Sequence, residues 1–237
     1  MPCAASGAPT APNPEHLLAS TPVTHHLLVP RTARYLTQGE IEGATEVWFL
    51  LHGYGMLAAG FLRWFEPAAA PGRLLVAPEA LSRSYFEEKG ARRVGASWMT
   101  KEDRDAEIED YVRYLDVLAE HIRLGVGGSP RVEVHGFSQG TATACRWVAF
   151  GRVRASRLVL WSGGVPPDLP LDRYGPALTA AGLVMAAGTT DSYIPQEEVD
   201  REQARLAAAG LMPVVHRFEG GHKVNASLLR ELAQETI

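Results

Sequence analysis

The stretch Val132-Glu133-Val134-His135-Gly136-Phe137-Ser138-Gln139-Gly140-Thr141-Ala142-Thr143-Ala144 decides how this chain is read. Its first half, Val132–Phe137, reads as a buried strand, and the small residues from Thr141 onward open a helical pattern. Between them Gly136-Phe137-Ser138-Gln139-Gly140 fits G-x-S-x-G, the turn that puts a serine at the top of a sheet. The turn needs glycine on both sides of the serine because a side chain there would collide with the neighbouring strand and helix. The same residues also suit a serine that merely caps a helix, so the choice rests on what else the chain supplies.

A serine hydroxyl is a weak nucleophile until a base takes its proton. On a strand-turn-helix of this type the expected chain order is nucleophile, acid, histidine, each at a strand end. The sequence offers that order. Asp191 follows the apolar run Leu183–Ala187 after Gly188-Thr189-Thr190, and His222 follows the run Val214–Phe218 in Glu219-Gly220-Gly221-His222. Asp191 would fix the imidazole tautomer and stabilise the imidazolium. Asp168 and Asp172, after the strand ending at Trp161, remain alternatives for the acid. Among the other histidines, His216 falls mid-strand and His135 falls inside the elbow strand, where a hydrogen-bonded core role is expected. His16, His25, His26 and His121 stand in no motif, and Glu219 is too close in sequence to orient His222.

The reaction also needs donors for a developing oxyanion. One expected donor is the N–H of Gln139, at the positive end of its helix. The other is the N–H of Tyr54, in the turn Leu51-His52-Gly53-Tyr54-Gly55 that follows the apolar run Val47–Leu51; His52 is expected to fix that turn.

Four motifs in this order carry a resemblance to a known family. Leu51-His52-Gly53-Tyr54-Gly55, the elbow, Asp191 with Ile194-Pro195, and Gly220-Gly221-His222 resemble the phospholipase/carboxylesterase family of α/β-hydrolases, which includes acyl-protein thioesterases and small bacterial esterases. The resemblance runs from about Val23 to the C-terminus. It implies the triad Ser138, Asp191, His222 and an oxyanion hole made by Tyr54 and Gln139. The chain departs from thioesterase-like members at Met56, where they usually have Asp, and at Thr141, where they commonly have Gly or Ala.

Other segments complete the expected architecture. Val23–Val29, Ala33–Leu36 and Leu74–Ala77 read as further strands, the first two as a candidate antiparallel pair. Leu57–Ala69, Asp103–Leu124, Gln139–Phe150, Glu197–Ala209 and a closing segment capped by Asn225 read as helices. Thr100 with Asp103 reads as a start signal for the second of these and Gly125 as its end. Strands alternating with helices predict an α/β-hydrolase fold, a mostly parallel sheet covered on both faces. Ser162–Gly182 is the longest insertion after the elbow strand, too short for a large cap domain, so short or extended acyl esters are the expected substrates. The irregular segment Glu79–Thr100 holds Tyr85, Phe86, Trp98 and Met99. These either line an acyl pocket, with Tyr85, Trp98 and Met99 binding substrate, or cover the sheet edge.

Composition sets the outer limits. The 237 residues are 46% hydrophobic and 21% charged with a formal charge of −4, which is ordinary globular composition. No basic run is present, so nucleic acid is not an expected partner, and no apolar run approaches the length of a membrane span. The Pro-rich segment 1–22 reads as a flexible tail before a single domain over 23–237. It lacks the features of a secretory or mitochondrial leader, which points to a cytoplasmic protein. Cys3 and Cys145 are the two cysteines and no disulfide is expected. No metal or cofactor is expected, and a homodimer is left open. Two other classes compete. Gly53-Tyr54-Gly55-Met56-Leu57-Ala58 fits a dinucleotide fingerprint, with Glu79 as the ribose ligand, and a hydrolase-like fold could act as a binding protein without catalysis.

Overall fold

A computed structural model describes residues 22–88 and 90–235. Residues 22–32 form a unit of their own, without helix or strand. Val23, Leu27, Leu28 and Val29 are each at least 70% exposed there, so the strand expected over Val23–Val29 is absent. An apolar run becomes a strand only when a neighbouring edge and a buried face accept it. The expected tail and Cys3 lie outside the described residues, except for Pro22.

Residues 33–235 form one compact unit around a seven-stranded sheet. The strands are β1 (Tyr35–Gln38), β2 (Glu46–Leu51), β3 (Arg73–Pro78), β6 (Arg131–Phe137), β7 (Arg157–Trp161), β8 (Leu183–Gly188) and β9 (Val214–Phe218), in the order β1-β3-β2-β6-β7-β8-β9. All neighbours are parallel except β1, which pairs antiparallel with β3. The remaining strands, β4 (Ser82–Glu88) and β5 (Ala91–Ser97), form a separate antiparallel hairpin inside the segment read as irregular.

Alternation along the strands sorts the core into two layers. Val47, Phe49 and Leu51 belong to the layer that also holds the buried faces of α2 (Arg104–Val126), α3 (Gln139–Phe150), α4 (Leu171–Ala180) and α5 (Gln196–Ala208). Trp48 and Leu50 pack against α1 (Ala58–Leu62), the following 3₁₀ segment Arg63–Ala68, and α6 (Ala226–Gln234). The sheet is therefore covered on both faces, as expected. Helix α2 buries the stripe Ile108, Tyr111, Val112, Leu115, Leu118 and Ile122. Its ends differ from expectation. Asp103 makes no side-chain cap, Thr100 instead donates its N–H to Glu107, and the left-handed residue after the helix is Gly127 rather than Gly125. Helix α6 starts as predicted, with the Asn225 side chain accepting from the N–H groups of Ser227 and Leu228. Its far end is held by two buried arginines: Arg157 donates to Leu232 O at 2.6 Å and Arg73 to Ala233 O at 2.8 Å. These cations cap carbonyls that have no partner within the helix.

Between β7 and β8 lie only a loop and α4, and no cap domain forms among the described residues. No helix among them is long and apolar enough to cross a membrane.

Candidate active site

Every site motif sits at the C-terminal end of a parallel strand: Tyr54 after β2, Ser138 after β6, Asp191 after β8 and His222 after β9. Open α/β sheets place their ligands at this edge.

Ser138 has φ 52° and ψ −116°, a conformation seldom adopted by residues with a side chain. The turn is held by the Ser138 N–H, which donates to Trp161 O at 3.0 Å, and by the Thr141 N–H and Oγ1, which both donate to Ser138 O. A Cβ on Gly136 would lie 2.4 Å from Gly140 O, and one on Gly140 would lie 2.1 Å from Leu51 O. Both positions therefore need glycine for close backbone approach, the first within the elbow and the second against the end of β2.

The loops after β8 and β9 are tied to one another. Thr189 N–H donates to Phe218 O and Thr190 N–H to Gly220 O, at 2.9 and 3.0 Å. This brings His222 Nδ1 to 2.8 Å from Asp191 Oδ2. The other Asp191 oxygen accepts the N–H groups of Tyr193 at 2.8 Å and Ile194 at 3.1 Å. Burial works to raise the Asp191 pKa, but the hydrogen bonds from His222, Tyr193 and Ile194 outweigh it and hold the carboxyl below its ordinary range. A carboxylate only accepts, so His222 donates through Nδ1 and leaves Nε2 as the acceptor. The His222 ring lies between Phe137, the residue before Ser138, and Tyr193, each with ring centroids 4.8 Å away.

The alternative acids are placed elsewhere. Asp168 pairs with Arg104 and Arg146, and Asp172 sits in the first turn of α4. His135 is fully buried; it accepts from Trp161 Nε1 and donates to Glu133, the core role expected for it.

In the turn after β2, Gly55 N–H donates to Ala96 O and Met56 N–H to Gly53 O. The Tyr54 N–H is left without an acceptor among the described residues. His52 fixes this turn: Nδ1 donates to Gly53 O at 2.8 Å and Nε2 accepts the Ala80 N–H at 3.1 Å. Burial pushes its pKa down, so the ring is neutral. Gln139 N–H begins α3 and has no carbonyl four residues back to bond within the helix.

The three residues expected to bind substrate separate. Met99 lines a cavity of about 580 Å³ that opens beside Ser138 and Gln139. Trp98 does not; it is buried in the core and donates Nε1–H to His52 O at 2.8 Å. Tyr85 is 65% exposed on the hairpin with the Arg92 guanidinium over its ring, away from the cavity. An indole needs a partner for its N–H when buried, and the loop carbonyl of His52 provides one. The Gln139 side chain was not anticipated as a tie. It accepts the Trp98 N–H at 3.1 Å and donates to Met99 O at 2.9 Å. No sequence signal marks that contact, because it depends on where the hairpin returns.

The dinucleotide alternative meets an obstacle at Glu79. Its carboxylate accepts from Arg34 and Arg83 and from the N–H of Ala58, the first residue of α1. Burial would raise its pKa, but the hydrogen bonds from Arg83 and Arg34 outweigh that and keep it ionised. The seat where a pyrophosphate would lie thus already holds a carboxylate, and α1 has only five residues. Among the described residues no cluster of His, Cys, Asp and Glu is arranged to hold a metal. Cys145 is a free, buried thiol whose pKa burial raises.

The strand order and the elbow define an α/β-hydrolase fold. No family model and no curated protein sequence matches the chain. Solved structures do match. It is similar to the acyl-protein thioesterase 2 of Zea mays, at 17% identity and TM-score 0.66, covering 86% of this chain and 97% of that one. It is also similar to the Bacillus cereus carboxylesterase, at 16% identity and TM-score 0.61, covering 85% and 92%. A third is a phospholipase/carboxylesterase from Dyadobacter fermentans, at 15% identity and TM-score 0.60, covering 88% and 99%. These are the kinds of protein whose motifs the sequence resembles.

Proposed function

We propose that the chain is a serine hydrolase that cleaves carboxylic esters or thioesters of small molecules through an acyl-enzyme. The observation that carries this reading is the 2.8 Å contact between His222 Nδ1 and Asp191 Oδ2, formed against the ring that precedes Ser138. In this reading Ser138 Oγ attacks the acyl carbon while its proton passes to His222 Nε2. Asp191 holds the tautomer and stabilises the imidazolium. The N–H groups of Tyr54 and Gln139 receive the oxyanion. As the tetrahedral species collapses, the imidazolium gives its proton to the leaving alkoxide or thiolate. Water then enters by the same route in reverse and releases the acid.

The test is labelling with a fluorophosphonate, which reacts only with an activated serine, together with hydrolysis of p-nitrophenyl esters. The wild-type chain is expected to be labelled. Ser138→Ala is expected to abolish labelling and to lower kcat by about 10³-fold or more. An unlabelled, inactive wild type would favour a binding protein on a hydrolase fold, and a Ser138→Ala variant retaining a tenth of the activity would remove Ser138 from the mechanism.

A further inference from the structure

The peptide unit between Ser138 and Gln139 carries two groups with different duties. Its N–H is the Gln139 donor assigned above to the oxyanion, and its carbonyl is that of Ser138. The unit is trans and planar, so the two groups point in opposite directions. Whatever holds the Ser138 carbonyl therefore also aims the Gln139 N–H. Both holds come from one residue: Thr141 donates its N–H to Ser138 O at 3.0 Å and its hydroxyl at 2.7 Å.

A threonine in a helix commonly returns its hydroxyl to a carbonyl three or four residues back. Thr143 does so at 3.4 Å, to Gln139 O, whose peptide plane carries the Gly140 N–H. The Thr141 bond is shorter and falls on the plane that carries the Gln139 N–H. Its place is also built from two sides. A Cβ on Gly136 would lie 2.7 Å from the Thr141 Cα, so the main chain rests against β6. A Cβ on Gly163, in the loop after β7, would lie 2.5 Å from Thr141 Oγ1 and 2.8 Å from Cγ2. Thr141 is 3% exposed, and a branched side chain clamped in this way has few rotamers to visit. It also stands where the sequence departs from thioesterase-like members, whose Gly or Ala has no hydroxyl to offer.

We propose that Thr141 is a positioning residue for the oxyanion. Its hydroxyl fixes the Ser138–Gln139 peptide and so aims the Gln139 N–H at the acyl oxygen, while Gly163 keeps open the space it needs. This rests on the reading of Ser138 as the nucleophile and Gln139 as a donor. A carbonyl that accepts two hydrogen bonds also polarises its peptide, which strengthens the N–H at the other end.

The test compares Thr141→Ser with Thr141→Ala. Both lose the methyl and only serine keeps the hydroxyl, so the cavity wall loses the same methyl in each. One measurement is kcat and KM for p-nitrophenyl hexanoate, with kcat scaled to the fraction of sites labelled by fluorophosphonate. The other is Ki for 1,1,1-trifluoroheptan-2-one, which carries the same alkyl chain. Ser138 Oγ adds to the ketone carbon, the serine proton passes to His222, and the carbonyl electron pair moves onto oxygen as an oxyanion in the hole. An oxyanion donor stabilises such tetrahedral species and not the bound ester. The alanine variant is therefore expected to show about tenfold lower kcat than the serine variant, the scale of one hydrogen bond, with KM unchanged and Ki about tenfold higher. The serine variant is expected to stay near wild type. Gly163→Ala is the second variant. Its methyl pushes on the Thr141 side chain from outside, and is expected to raise Ki in the wild type but to add little to Thr141→Ala. Equal Ki for the serine and alanine variants overturns the proposal, as does a loss of kcat with Ki unchanged, which a generally loosened fold would give. A Gly163→Ala effect that adds in full to Thr141→Ala overturns the part given to Gly163. A wild type that is neither labelled nor active removes the hydrolase reading itself, and this proposal with it.

Discussion

Replacing Gly140 by alanine tests whether the elbow and the turn after β2 act as one rigid unit. The added methyl would lie 2.1 Å from Leu51 O and 2.8 Å from His52 O, while ordinary contact begins near 3.4 Å. The nearest contact is therefore about 1.3 Å too short, and both obstructing atoms are backbone, so no side-chain rotation relieves it. Either α3 retreats or the end of β2 does, and each movement separates the Gln139 N–H from the Tyr54 N–H. Forced overpacking of this kind costs roughly 1–3 kcal/mol, and a chain of this size loses about 2–4 °C in Tm per kcal/mol. Misplacement of a reacting group by about 1 Å costs on the order of 10²-fold in rate. The assay is kcat/KM on a p-nitrophenyl ester beside a melting curve, with Gly60→Ala as control. Gly60 has open space around a built Cβ and lies within α1, so its alanine variant is expected to match or slightly exceed the wild-type Tm. A Gly140→Ala protein with more than half the wild-type kcat/KM would refute the idea that this close approach sets the donor geometry.

Asp191→Asn is expected to lower kcat by about 10⁴-fold, since the amide no longer fixes the imidazole tautomer. Asp168→Asn, which loosens Arg104 and Arg146, should leave fluorophosphonate labelling in place. The reverse ranking would move the acid to the loop after β7. Stability should also fall on acidification below neutrality. His52 and His135 both have pKa values lowered by burial, so the unfolded chain takes up protons that the folded chain refuses. Their contribution is full above the ordinary histidine value of about 6.5 and declines as the pH drops beneath it. The depressed carboxyl of Asp191 adds a second loss, which is complete only once the pH has fallen through its folded value. Urea midpoints measured from pH 7 to pH 5 read the histidine part, and a flat profile would contradict it.

Much of this arrangement was legible because its signals are local. The runs Val47–Leu51, Leu74–Ala77, Leu158–Trp161 and Leu183–Ala187 are apolar without alternation, the mark of strands buried on both faces, and each became one. The approach of His222 to Asp191 could be expected because each stands a few residues past a segment readable as a strand. The hairpin β4–β5 was missed because it stands apart from the main sheet. Strand β5 has a burial pattern exposed over Ala91–Val94 and buried only from Gly95, so no period-2 pattern betrays it. Gly90, with φ 79°, was its one local mark. Helix α4 was hidden by Gly175 and Pro176 within it. Val23–Val29 failed in the opposite sense: its composition suits a strand, but it has no pairing edge. The side chain of Trp98 could not be assigned from sequence, since its partner comes from a segment distant in the chain.

Gln139 serves two structures with one residue. Its main chain begins the helix behind Ser138, and its side-chain amide grips the strand-exit segment Ser97–Met99. The hairpin is thereby fastened at its root to the elbow, while its tip reaches outward past Tyr54 and Phe86. A scaffold anchored in this way can lengthen, shorten or exchange the tip without disturbing the elbow, provided the three anchoring residues persist. Inherited variation in what the site accepts would then accumulate at the outer turn, and engineering by loop exchange should cut between Glu88 and Ala91 rather than at Ser97.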